Sequence, residues 1–329
     1  MWPADYGKRE VRALFEDLVA AMARYEVVLE PDENVSEWWA GAPSVTLAED
    51  GTFYLAARMR ENKSPKGKRG YEIRILKSAD GRRFEVVNRL RREDAGVAGF
   101  ERPAIVRDPA TGKYRLYGCA GFERGWAILR FDDASDPSEF EARTARRVLW
   151  SDYPDDGGVH VTGYKDPFAI WDRGRWHMFV IGSDRVERAY HFTSDDGERW
   201  QAADEGPIME NTGWHSFYTR PASVVPLAVG YLFVYEGSNA GWHDPVYNIA
   251  TGLAYSPDLE RFIDLTPDAP LLKSTTPGDY HTWRYSHWML VGEQLFVYWE
   301  AARPNNTNEV RVAVYDTRTG RPGVVGAGP

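Results

Sequence analysis

The chain has 329 residues, with 40 basic against 49 acidic side chains and a net charge of −9. That balance argues against a nucleic-acid or anionic-membrane partner, because gripping phosphates requires a cationic surface. The single cysteine, Cys119, excludes an intramolecular disulfide framework and suits a reducing compartment.

Charges run throughout "MWPADYGKREVRALFEDLV", unlike a secretory leader, and no apolar run approaches the ~20 residues of a membrane span. A cytoplasmic protein is therefore expected. Helical periodicity is convincing only from Lys8 to Arg24, where Val11, Leu14, Phe15, Leu18 and Met22 share one face. Residues 1–30 read as a helical extension, and "YEVVLEP" (Tyr25–Pro31), across its end, is a candidate outer strand for the last sheet.

From residue 31 to 329 the chain repeats itself. A first strand reads "GAPSVTLAEDG" at Gly41, "ERPAIVRDPATG" at Glu101, "KDPFAIWDRG" at Lys165, "TRPASVVPLAVG" at Thr219 and, more weakly, "YSHWMLVGE" at Tyr285. Second strands follow as "FYLAARMR", "YRLYGCAG", "WHMFVIGS", "YLFVYEGS" and "LFVYWEAA". Pro43, Pro103, Pro167 and Pro221 mark the period at intervals of 60, 64 and 54 residues. A third strand ends in a Ser-x-Asp-Gly turn and an aromatic, "IRILKSADGRRF" and "YHFTSDDGERW", degraded to "TGLAYSPDLERF" and drifted to "AILRFDDASDPSEF" in the second unit. "EVRVAVYDTRTGRP" adds a further strand near the end. Five antiparallel units at this period predict an all-β fold, a five-bladed β-propeller with a short N-terminal helical extension. A β-sandwich or two stacked β-domains would not generate five near-regular copies.

Propeller geometry turns this alignment into a site. First strands line the axis and start on one face, and second strands return to that face. Ala42, Glu101, Arg102, Asp166, Arg220 and Ser286-His287 should therefore meet Arg58, Cys119, Ser183, Glu236 and Glu300 around one funnel. Carboxylates confined together have their pKa values driven apart, which suits glycosidic bond cleavage by an acid and a base. Arginines there would bind an anionic group. Aromatics make up 14% of the chain; they favour strands, and flat rings also stack on sugars. Trp39, Trp214 and Tyr218 lie near the rim, and His160 and His215 lie on loops expected to overhang it. Each position has a structural alternative: Asp166 as a strand cap, Glu101 as an ion-pair partner, His287 as a filler of the axis, the aromatics as plugs between blades.

"YKDPFAIWDRGRWHMFVIGS" resembles the blade-three signature of the five-bladed propeller glycosidases and phosphorylases, the broad group of glycoside hydrolase families 43, 32, 62, 68, 117 and 130. The resemblance covers about residues 36–318. It implies that Asp166 orients the sugar and tunes the catalytic acid. Two departures stand out: Ala42 and Arg220 occupy positions where families 43 and 32 carry a base or nucleophile and a general acid. An arginine-rich funnel tilts toward family 130, whose members bind phosphate as the attacking group. The expectation is a carbohydrate-active enzyme cleaving a glycosidic bond, with Asp166, Glu101 and Glu236 catalytic. Arg102, Arg220, Glu300, His287, His215, His160, Trp39, Trp214, Tyr218 and Arg58 would bind substrate. No metal or cofactor is implied beyond room for a structural ion on the axis. The partner is a small carbohydrate, with phosphate or an acidic sugar as candidates. A sugar-binding propeller without catalysis, or a lyase or isomerase on an acidic sugar, are the alternatives.

Overall fold

The computed structural model describes residues 15–153, 160–243, 248–319 and 321–322. Its strands form five antiparallel blades around an axis. The inner strands are Trp39–Leu47, Ala104–Arg107, Tyr164–Asp172, Tyr218–Pro226 and Trp283–Val291. The second strands are Phe53–Arg60, Tyr114–Phe122, Arg175–Ser183, Tyr231–Ser238 and Gln294–Ala302. Third and outer strands complete each blade.

The five hydrophobic clusters are the five seams between neighbouring blades. Phe53 and Leu55 of blade one meet Phe296 and Tyr298 of blade five, for example, and Phe168 and Phe179 of blade three meet Phe233 and Tyr235 of blade four. Alternation along each strand gives every blade two apolar faces, so a single blade cannot be stable alone and the ring must close. The strand expected at Tyr25–Pro31 is present as Glu26–Leu29 and pairs with Asn308–Asp316 of blade five. A parallel bridge from Trp39 to Asn308 joins blades one and five at the same seam. Residues 15–21 are helical, and Leu18, Ala21 and Met22 are buried against blades four and five. Val11 and Leu14 lie outside the described residues.

The repeated proline has a structural cause. Every inner strand carries a one-residue bulge where it enters the axis: Gly41/Ser44, Lys165/Phe168, Pro221/Ser223 and Arg284/His287 in blades one, three, four and five. Blade two shows the same slip between the Phe100–Ala120 bridge and the Ala104–Tyr117 pair. A bulge residue leaves the ladder, so proline wastes no donor there. The blade-three hairpin turns on Arg173 and Gly174, both at positive φ (46° and 82°), as a two-residue primed turn requires.

The Ser-x-Asp-Gly turns are equally regular. Ser78, Ser194 and Ser256 each accept from the backbone N–H two and three residues on. In the degraded copy Leu259 adopts φ 66°, replacing the glycines of the other two.

Candidate active site

Apart from single parallel bridges at Trp39 and Tyr218, the inner strands have no further strand partner among the described residues, so their exposed N–H groups need side-chain acceptors. Ser44 accepts from Ile105 N at 3.0 Å, Ser223 from Trp288 N at 3.2 Å, and His287 Nδ1 from Val45 N at 3.3 Å. His287 is thus a neutral strand cap: burial, reinforced by Arg102, lowers its pKa to about 3. The substrate-binding role expected of it gives way to the axis-filling one.

The bulges are capped across blades. Ala42 N donates to Glu300 Oε2 at 2.9 Å, Asp166 N to Cys119 Sγ at 3.3 Å, and Ser286 N to Glu236 Oε1 at 2.9 Å. Each acceptor comes from the second strand of the preceding blade. Three bulge residues take left-handed backbone, Ala42 (φ 53°), Asp166 (56°) and Tyr285 (52°), a conformation costing about 1–3 kcal/mol outside glycine. These values correct the alignment of blade five: Tyr285, not Ser286-His287, is the equivalent of Asp166. In blade three Ile181, which pairs with Lys165, stands where Arg58, Cys119 and Glu300 stand elsewhere, so Ser183 falls outside the set.

All five blades contribute to one pit. Arg58 is ion-paired with Glu101 and lies 3.2 Å from Glu300 Oε2. Arg284 and Asn308 hold Glu300 Oε1 at 2.7 and 2.5 Å. Asp166 Oδ1 accepts from Arg102 N at 3.1 Å, and Oδ2 from the Tyr285 hydroxyl at 3.1 Å. On the blade-four side Glu187 bonds both Arg220 and Lys165, the latter at 2.6 Å. Most of these groups are deeply buried; Glu101 and Lys165, at 15% and 17% side-chain exposure, are the parts solvent reaches.

The same burial accompanies opposite pKa shifts. Burial works against charge on Glu187, yet Arg220 and Lys165 outweigh it and hold the group at about 2. Glu236, also fully buried, is pushed up to about 7, with Arg102 only partly opposing. Its Oε2 has no hydrogen-bond partner among the described residues. The Cys119 thiol is raised well above its usual value by burial and then by Asp166, so it is an inert filler.

Asp166, Glu101, Glu236, Glu300, Arg58, Arg102 and Arg220 are therefore brought together as expected. Arg102, however, turns its guanidinium onto the carbonyls of Pro221 (3.1 Å) and Ala222 (2.5 Å) and is fully buried, a brace across the axis and not an anion clamp. His215 is buried inside blade four, bonding Thr219 at 2.8 Å and lying 3.3 Å from Asp264, so it does not overhang the funnel. Trp214 stacks on Tyr235 and donates to Thr266 O. Trp39 is 1% exposed between the Arg60 and Arg284 guanidiniums. The expected sugar platforms at 39 and 214 are packing elements. Tyr218, half-buried, does lie in the site, its ring 4.1 Å from the Arg220 guanidinium. His160 is half-buried on the loop before blade three.

Lys165, Glu187, Arg284 and the site role of Tyr285 were missed. Lys165 and Arg284 could have been found, since they align with Glu101 immediately before the bulge. Glu187 opens a third strand and reaches the pit through Lys165 of its own blade and Arg220 across the seam with blade four, whereas only first and second strands were expected to face the axis. No group of three or more His, Cys, Asp or Glu among the described residues is placed to hold a metal ion.

No family model matches the chain, and no curated protein does. Solved structures match over nearly its whole length. A glycosyl hydrolase from Bacteroides ovatus superposes with a TM-score of 0.69 at 18% identity, covering 91% of this chain and 95% of its own. A structure from work on family 130 mannoside phosphorylases, containing glycoside hydrolases that target β-1,2-mannosidic linkages in Candida mannan, gives 0.68 at 17%, covering 92% and 96%. The β-1,2-mannobiose phosphorylase from Listeria innocua, in complex with β-1,2-mannobiose, gives 0.65 at 13%, covering 88% and 95%. The chain has the five-bladed propeller fold of these enzymes, as the sequence resemblance implied.

Proposed function

We propose that the protein is a carbohydrate-active enzyme that cleaves a glycosidic bond in a small oligosaccharide or glycoside, by hydrolysis or phosphorolysis, in the cytoplasm and without a resident cofactor. The observation that carries this reading is a single pit in which a buried Glu236 has one oxygen without a partner among the described residues, while Glu187 is held between Arg220 and Lys165. Burial raises the Glu236 carboxyl to about 7, while two cations hold Glu187 at about 2. A protonated carboxyl is what departure of the leaving sugar oxygen requires, and an ionised one is what activates or steadies the attacking group. Glu236 is the proton donor in this scheme, and Asp166, held by backbone and phenol hydrogen bonds, orients the sugar. Glu101, the most exposed carboxylate of the cluster, faces the incoming substrate. Fold likeness supports the reaction class but not the residue roles.

Screening aryl glycosides and oligosaccharides, with and without inorganic phosphate, tests the proposal. Turnover should fall about 10²–10⁴-fold in Asp166→Ala and in Glu236→Gln; turnover that survives both substitutions would sink it. A sugar-binding propeller is the second reading. It is favoured by the way Glu300, Arg102 and the Lys165–Glu187–Arg220 set satisfy one another without a ligand. Saturable sugar binding with no turnover, unchanged by Asp166→Ala, would select it.

A further inference from the structure

Tyr285 occupies in blade five the bulge position that Asp166 occupies in blade three, and both hold left-handed backbone. Ala42 shares that backbone, so the conformation belongs to the blade and the side chain mounted on it is what varies. A bulky aromatic is a costly choice at positive φ. Its hydroxyl donates to Asp166 Oδ2 at 3.1 Å, with Tyr285 5% and Asp166 1% exposed. The other carboxylate oxygen is occupied by Arg102 N at 3.1 Å and the Cys119 thiol at 3.6 Å. Around the Tyr285 ring stand the guanidiniums of Arg284, Arg58 and Arg102, at 5.0, 5.6 and 5.7 Å from its centroid. Ring and hydroxyl are thus fixed from four blades.

We infer that Tyr285 is a positioning residue for Asp166: its hydroxyl holds Oδ2, fixes the orientation of the carboxyl, and leaves the remaining lone pair of Oδ2 as the point of entry for a sugar hydroxyl. The inference rests on reading the pit as a glycoside-cleaving site. Lys165 and Arg220 also face the pair, and Glu101 faces Tyr285. Their charges persist when one phenol oxygen is removed, so Tyr285→Phe isolates a single hydrogen bond while keeping the ring between its arginines.

The test has two readouts. The carboxyl carbon resonance that vanishes in Asp166→Asn reports the surroundings of the Asp166 carboxyl. In Tyr285→Phe, at fixed pH, that resonance should shift, because the hydrogen bond that Oδ2 receives from the phenol is gone. An unmoved resonance overturns the inference. Should Tyr285→Phe not fold, fluorotyrosine at position 285, a stronger donor, should also move the resonance, and again no movement overturns it. On a glycoside that the wild type cleaves, kcat should fall about 10- to 100-fold with KM within about twofold. An unchanged kcat would mean that Tyr285 only fills the pit. A wild type that cleaves no glycoside defeats the functional reading alone, and the carboxyl resonance still decides the Tyr285–Asp166 coupling.

Discussion

Glu236 and Glu300 lie on the second strands of blades four and five. Each turns one oxygen onto the bulge N–H of the next blade, Ser286 and Ala42, at the same 2.9 Å. Both are fully buried. Around Glu300 the blade-one seam supplies Arg58, while Arg284 and Asn308 close the other oxygen. Burial opposes its charge, yet those partners hold its pKa below the ordinary value. Around Glu236 the second oxygen has no partner among the described residues, Arg102 being turned away onto backbone carbonyls, and the carboxyl rises to about 7. At equal depth, therefore, the carboxyl of blade five is lowered and that of blade four raised. The number of donors, not the burial, decides the direction of the shift.

Four substitutions would break or sharpen this contrast. Glu300→Ala strands two buried guanidiniums and the Ala42 N–H, and should lower stability by about 3–5 kcal/mol in denaturant melts. A smaller loss would mean that solvent replaces the carboxylate. Glu236 predicts a pH dependence of opposite character. A carboxyl whose folded pKa lies above its unfolded value of 4.5 binds its proton more tightly when folded. Its contribution is complete below about pH 4.5 and disappears as pH rises through about 7, a loss of roughly 3 kcal/mol. Glu236→Gln should remove that slope and match or exceed the wild type at pH 8. A variant that melts lower at pH 8 would show that the native side chain is already an ionised, paired carboxylate.

Gly41→Ala would place a methyl against the Glu300 carboxylate. Overpacking at that spot should cost about 1–3 kcal/mol; a neutral outcome would show the Glu300 cluster to be looser than its hydrogen bonds indicate. The surface pair Glu33–Lys63, at 3.4 Å with both side chains largely exposed, is the control. Glu33→Ala should change stability by less than about 0.5 kcal/mol.

Much of the fold was legible along the chain. The recurring proline marks the bulge, the Ser-x-Asp-Gly turns mark the third strands, and "YEVVLEP" marks the closing strand, because each is a local backbone requirement that restricts residue type. The membership of the pit was partly legible for the same reason: Glu101, Asp166, Arg220, Glu236 and Glu300 stand at fixed offsets from the bulge. The roles were not. His287 and Arg102 looked like ligands for a substrate, but one caps Val45 and the other braces Pro221 and Ala222, partners 242 and 119 residues away. Trp39 looked like a sugar platform and is sealed between two arginines.

The amino-acid sequence by itself determined the number of blades, where each strand bends, and which side chains enter the axis, since these follow from periodicity and turn chemistry within about sixty residues. Only closure of the ring decided which charges neutralise one another, which carboxyl is raised, and which phenol meets Asp166. Those outcomes depend on distances between blades remote in the chain, and the energy of a buried charge is set by its neighbours in space.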